Sequence, residues 1–474
     1  MNNRTRTLAA APQWDDHLVL RWAPVAFLVM AFLLGGGSRS DTASMPFLRG
    51  GAVLFAFWAA AGLRAEDWRR IRVPLLLLLA LSLWMAIQLI PLPPQWWQAL
   101  PGREPIAAID HLVGLADLWR PISLTPSLTW NSLLSMTVPF AALFVTARVH
   151  PNDYPLLIYT LVALAGIGAL LGLVQILSGA GSAAYLYRIT NEGMMVGLFA
   201  NRNHHALFLA LAVVLAAMLM RDEYMKSRRD KLTVGVLGFV IVLLTITTAL
   251  IGSRSGFVAG VIAFSAGYAM ILLAMRTKDQ RPGRGQSAAR SWQRAFAYAP
   301  PLLLIGLLVT VLSLSSRISA IDRASGADLA GELRVQAWPT VRAMAETYWG
   351  TGSGFGSFAG VYKMFEPDAL LSPSYFNHAH NDWIELVITG GLPFILVAFA
   401  TLVWLGRKFA AAGTRNLVKG YRGDYRFPVL VIAGLFVMVS FVDYPLRMPS
   451  LQVMAILLIV LFCCPRNDQM NAPN

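Results

Sequence analysis

The stretch Phe376-Asn377-His378-Ala379-His380-Asn381-Asp382-Trp383-Ile384-Glu385 sets two imidazoles and two carboxylates beside one another. Asp382 followed by Glu385 marks a helix start, since acidic side chains favour the first turn, and Trp383 suits a membrane interface. His380 then stands just before the positive end of that helix, where the dipole disfavours imidazolium and keeps the ring a neutral base. Such a base can take the proton from a hydroxyl nucleophile. A capping histidine pair at a membrane interface fits the same spacing equally well. A metal site of His378, His380, Asp382 and Glu385 matches no established ligand spacing.

Two arginines form a second candidate group. Arg202 lies in Phe199-Ala200-Asn201-Arg202-Asn203-His204-His205, and Arg254 in the tight turn Gly252-Ser253-Arg254-Ser255-Gly256. Two guanidiniums combined with the backbone donors of a helix N-terminus and a Ser/Gly turn suit a diphosphate. The alternative is that both side chains snorkel to lipid phosphates.

The elements that must position these groups lie in a membrane. Of 474 residues, 56% are hydrophobic and only 14% charged, too few polar side chains to clothe a soluble globule. Stretches long enough to span a bilayer recur near 22–36, 46–63, 73–91, 130–147, 155–178, 204–220, 232–252, 255–275, 295–316, 383–406, 427–445 and 449–464. These predict about twelve transmembrane helices with both termini inside. That orientation puts 25 of the 39 Lys and Arg in inner segments and 13 in outer ones, in keeping with the positive-inside rule. The net charge of +14 is therefore a topology signal and a match to anionic lipid, and nucleic-acid binding is not expected. Cys463 and Cys464 close the last helix as packing residues.

The resulting organisation is a single transmembrane domain over 1–464, with a first outer loop at 92–129, a large outer loop at 317–382 and an inner tail at 465–474. Within the large loop, Leu333, Val335, Trp338, Val341, Met344 and Tyr348 recur at helical spacing between Asp328 and Trp349. They predict an amphipathic helix on the membrane surface. The run Gly350, Gly352, Gly354, Gly356 reads as a flexible turn that ends it, because it follows no strand of a nucleotide-binding unit.

From about residue 120 to 460 the chain resembles the O-antigen ligase and polymerase superfamily of bacterial envelope proteins. His380-Asn381 is followed after nine residues by Gly391-Leu392-Pro393-Phe394, as in the ligases, with Phe394 where a small residue or tyrosine is more usual. Asn201-Arg202-Asn203, Ser253-Arg254-Ser255, Arg334 and Asp443-Tyr444-Pro445-Leu446-Arg447 occupy similar positions in the same order. The resemblance implies an all-α, GT-C-like polytopic membrane protein of the bacterial inner membrane, its site facing the periplasm. It implies a metal-independent, inverting glycosyltransferase without cofactors, which takes a glycan from a polyprenyl-diphosphate carrier to a hydroxyl on lipid A core or another glycan. His380, Arg254 and Arg202 would be catalytic. Arg334, Asn201, Asn203, Asn381, His378, Asp443 and Arg447 would bind substrate. Ligase, polymerase and protein oligosaccharyltransferase share these motifs. A polysaccharide or lipid transporter is the alternative from another class, but it would carry its charges at mid-membrane.

Overall fold

In a computed structural model, residues 16–279, 306, 335–371, 376–411 and 425–464 are described. The protein is an all-α polytopic membrane protein. Its helices are α1 (Asp16–Leu34), α2 (Met45–Ala61), α3 (Ala65–Ile87), α4 (Pro94–Gln98), α5 (Glu104–Leu112), α6 (Pro126–Ser135), α7 (Thr137–Arg148), α8 (Tyr154–Ser178), α9 (Arg202–Tyr224), α10 (Lys231–Leu250), α11 (Arg254–Asp279), α12 (Trp338–Tyr348), α13 (Phe358–Phe365), α14 (Asp382–Ala411), α15 (Arg426–Val439) and α16 (Pro449–Cys463). Among the described residues, seven helical segments are long and apolar enough to cross a membrane, and four shorter apolar helices accompany them. These match eleven of the stretches expected from the sequence. The stretch at 295–316 lies outside the described residues apart from Gly306, and so does Arg334.

Helix α9 is apolar on every face and is buried along almost its whole length, as a helix without a polar side must be. Lipid offers no hydrophobic drive for helices to associate, so close packing has to hold them. Its partner α11 supplies small residues for that approach. A Cβ on Gly256 would lie 2.3 Å from the Ala206 Cβ, and one on Gly267 would lie 2.9 Å from the Ala217 Cβ. Both pairs repeat after about three turns of about 3.6 residues, so one face of α11 stays in register along α9.

The segment between α3 and α6 is organised by α4, α5 and a two-residue antiparallel ladder pairing Pro91 with Pro121 and Leu92 with Arg120. Arg103 is fully buried there, bonded to the Ile122 carbonyl at 2.6 Å and set against the rings of Trp97 and Tyr348.

Two details of the stretch around α12 and α13 differ from expectation. Of the helix expected between 328 and 349, α12 covers Trp338–Tyr348 and residues 328–334 lie outside the described residues; its apolar side does not simply face lipid. Val341, Met344 and Tyr348 pack with Phe358, Val361, Tyr362 and Ile388 into a small core of their own. The glycine run is also not a loose turn. Ser353 and Gly354 donate to the carbonyls of Ile388 and Thr389, Leu124 donates to Ser353, and Gly352, Gly354 and Gly356 all have positive φ. A Cβ on Gly352 would lie 2.4 Å from the Thr389 carbonyl oxygen, so only glycine lets this strap lie against α14.

The strap meets α14 where that helix breaks. Gly391 has φ 64 and ψ −158, which interrupts the helical ladder and strands carbonyls at its end. Helix α3 and the residue that caps its end supply the missing partners: Trp84 Nε1 donates to the Gly390 carbonyl at 2.6 Å, and Gln88 Nε2 donates to the Thr389 carbonyl at 3.0 Å. Gln88, fully buried, also accepts from Phe355 N at 3.2 Å. The short N-terminal piece of α14 is thereby fixed independently of the long span that follows.

Candidate functional site

The N-terminus of α14 is built by its own first residues. Asn381 Oδ1 accepts from Ile384 N at 3.2 Å, which caps an orphan donor of the first turn. Asp382 does not project into solvent as first-turn acids usually do, for it is fully buried. Its backbone N–H donates to the Ser440 carbonyl at 2.8 Å, and its Oδ2 accepts from Leu446 N at 2.9 Å. The turn between α15 and α16 is thus tied to the head of α14.

Glu385, 1% exposed, folds back under the loop before its own helix. Its Oε2 accepts from Ala379 N at 2.9 Å, and its Oε1 meets His378 Nδ1 at 3.0 Å and Arg447 Nη2 at 3.0 Å. Arg447 Nε also stands 3.7 Å from Asp382 Oδ1. One guanidinium therefore lies between two buried carboxylates. Removing one member of such a group leaves an uncompensated buried charge, at a cost of about 3–5 kcal/mol. Arg447 and His378 are both engaged with protein carboxylates in this arrangement.

His380 is the only non-glycine residue with positive φ among the described residues, at φ 50. A side chain in that region is held at a cost of about 1–3 kcal/mol, and it persists where the surroundings over-determine it. Here they do. Its Nδ1 stands 3.5 Å from Asp443 Oδ1, and its ring lies 5.2 Å from that of Tyr444 and 5.9 Å from that of Phe376. Tyr444 also packs at a tilt against His378, at 4.2 Å, and meets His204 edge-on at 4.9 Å.

Asp443, fully buried in the turn beyond α15, accepts from Tyr444 N at 3.0 Å and stands 3.7 Å from His204 Nε2. Burial pushes its carboxyl upward, but His204, His380 and a hydrogen bond from the Asn203 side chain outweigh that and hold it well below the usual carboxylate range. A carboxylate facing Nδ1 assigns the proton of a neutral imidazole to that nitrogen and leaves Nε2 with a lone pair. His380 can therefore act as a base at Nε2, with Asp443 stabilising the imidazolium that results.

The arginines gather at the neighbouring helix starts. Asn201 caps α9 by accepting from Asn203 N at 2.8 Å, and Arg202 N donates to Asn191 Oδ1 at 3.0 Å. The Arg202 guanidinium leans toward the turn between α10 and α11, where a Cβ on Gly252 would lie 3.9 Å from its Nη1. Arg254, exposed, begins α11 from that same turn, and Ser253 Oγ accepts from Gly256 N at 3.0 Å to close it. The residues flanking Arg202 reach the histidines: Asn201 Nδ2 donates to Tyr444 Oη at 3.3 Å, and Asn203 bonds Asp443.

The structure thus brings His378, His380, Asn381, Asp443 and Arg447 together with Asn201 and Asn203, and sets Arg202 beside the turn that carries Arg254. Among the described residues no His, Cys, Asp and Glu group is arranged to hold a metal ion. Tyr444 and His204 had no assigned role in the sequence reading, and Glu385 only those of a helix-start acid and a metal candidate. Tyr444 and Glu385 stood inside the quoted motifs, and His204 followed Asn203, but only the fold reveals that all three contact the histidine loop or its carboxylates.

Residues 239–399, about a third of the chain, match the profile of a family described as O-antigen ligase. The matched segment carries Arg254, His378, His380, Asn381 and the Gly391 break; Arg202, Asp443 and Arg447 fall outside it. No curated protein matches the chain.

Proposed function

We propose, from the support that this match gives to placement in the O-antigen ligase superfamily, that the protein is a membrane glycosyltransferase acting on a lipid-linked glycan. The donor is a glycan on a polyprenyl-diphosphate carrier and the acceptor a sugar hydroxyl, on lipid A core in the ligase reading. The site faces the periplasm from the inner membrane, with residues 92–129 and 317–382 on that side. The observation that carries the reading is the His380–Asp443 pair at 3.5 Å, linked through Asn203 to the helix start that bears Arg202.

In this reaction His380 Nε2 takes the proton of the acceptor hydroxyl as its oxygen attacks the anomeric carbon. The bond from that carbon to the diphosphate oxygen breaks, and its electron pair leaves with the diphosphate. Arg202 and Arg254 neutralise the charge that develops there, in the place a divalent ion would otherwise fill. Attack opposite the leaving group inverts the anomeric centre. Asp443 holds the imidazolium until it is deprotonated, while Arg447, Asp382 and Glu385 brace the loop that presents His380. The diphosphate ester supplies the driving force, so no nucleotide is consumed.

Reconstitution in proteoliposomes with polyprenyl-diphosphate glycan and candidate acceptors, followed by product sizing, tests the proposal. Transfer of an intact chain to lipid A core is the expected result, a ladder of repeats would identify a polymerase, and no transfer to any acceptor would reject the reading.

A further inference from the structure

Beside the histidine cluster the fold leaves a cavity of about 330 Å³, within the size range of small-molecule sites. Its inner wall is Tyr444, His204 and Asn377, the last of these three residues before His380; its outer wall is the segment after α1, with Arg39 and Asp41, and Arg188 from the loop before α9. Neither wall is a loose flap. Gly36 N donates to Tyr187 Oη at 2.7 Å, Ala200 N to the Gly36 carbonyl at 2.9 Å, and Ser450 N to the Gly35 carbonyl at 3.1 Å. The segment after α1 is therefore fastened to the loop before α9, to the lead into α9 and to α16.

Two features point to a ligand. First, His204 is 0% exposed and lines the cavity, yet neither of its ring nitrogens has a hydrogen-bond partner. Buried polar atoms are normally paired; Nε2 already stands 3.7 Å from Asp443 Oδ1, so Nδ1 is the nitrogen left for a group that completes it. Second, Asp41 holds two arginines at once, Arg39 Nε at 3.2 Å and Arg188 Nη2 at 3.6 Å, with Arg188 83% and Asp41 51% exposed. A carboxylate between two planar guanidiniums presents acceptors and paired donors at the spacing of neighbouring hydroxyls. Asn191 and Asn377 add amides that can both give and accept.

We propose that this cavity is a saccharide subsite, in which Asp41, Arg39 and Arg188 hold the hydroxyls of a sugar unit next to the one that reacts at His380. The proposal rests on the glycosyl-transfer reading for the identity of the reacting sugar. The unit belongs either to the lipid-linked donor glycan or to the acceptor, and both present the same chemistry to these side chains.

Full-length Asp41→Asn and Arg188→Ala, both changed at exposed positions, are reconstituted and assayed with donor and acceptor varied separately. The expected result is a KM raised about tenfold for one substrate with kcat within about twofold of wild type. A shift in donor KM assigns the donor glycan, and a shift in acceptor KM assigns the acceptor. A benzophenone amino acid at position 188, irradiated in native membranes, should give a glycan-staining adduct absent from the same probe at the exposed position 112. Unchanged KM for both substrates with no adduct at 188 would overturn the subsite even if wild type transfers glycan. An adduct at 188 in a protein that transfers nothing would keep the subsite and reject the transfer reading.

Discussion

Replacing Asp443 by Asn keeps the shape of a fully buried side chain and removes only its charge, which makes it the sharpest probe of the proposed base. The carboxylate stands 3.5 Å from His380 Nδ1. At an effective dielectric of about 20, a unit charge pair at that separation interacts by about 5 kcal/mol. At about 1.4 kcal/mol per tenfold, the ceiling on the rate effect is between 10³ and 10⁴. His380 keeps 16% of its side chain exposed, so solvent relaxes part of that and a loss of roughly 10²-fold to 10³-fold in kcat is expected. An amide at this position can also donate to Nδ1, which would favour the tautomer with its proton on Nε2 and block the base. Donor KM should stay near wild type, because Asp443 contacts the donor-binding helix start only through the Asn203 side chain, which an amide can still accept from. The assay is steady-state transfer in proteoliposomes, with thermal unfolding in detergent as the check on folding. A folded Asp443→Asn protein with kcat within about threefold of wild type would refute the pairing of this carboxylate with the catalytic ring.

Arg202→Ala and Arg254→Ala should each lose most transfer activity at normal membrane expression, and lysine should rescue poorly where two-pronged contact is needed; near-normal turnover in both would place the diphosphate elsewhere. His380→Ala should cost at least about a hundredfold in kcat with donor binding retained, measured by single-turnover transfer and donor titration. EDTA should leave wild-type activity unchanged; loss of activity on chelation with recovery on adding a divalent ion would contradict the arginine-based reaction. Gly352→Ala should lower the unfolding temperature, since a Cβ would approach the Thr389 oxygen to 2.4 Å at φ 74, a strain of about 1–3 kcal/mol. Cysteine placed at 360 should label from outside and cysteine at 285 should not; the reverse pattern would invert the topology.

Much of this protein was legible in its residue types because the membrane imposes one-dimensional rules. Runs of apolar residues long enough to cross lipid marked eleven apolar helical segments found among the described residues, and Asp382 with Glu385 marked the start of α14. Motif spacing also raised His380, Arg202 and Arg254 as candidates, since a base before a helix start and guanidiniums at tight turns are local arrangements. What spacing could not convey is which side chains face one another across the chain. Asp443 comes some sixty residues after His380, and His204 nearly two hundred before it, yet all three meet because α9, α14 and the turn between α15 and α16 converge. The glycines illustrate the same limit. Gly350 to Gly356 reads as a flexible turn from composition alone, whereas Trp84 of α3, Gln88 at its end, the strap and the Gly391 break form one bonded junction. Glycine permits a conformation, and only the neighbours that press against it decide whether that conformation is loose or held. Arg447 likewise stands in its motif as a substrate-contact candidate, and only the fold shows the two buried carboxylates beside it, because a buried charge needs a partner wherever in the chain that partner lies.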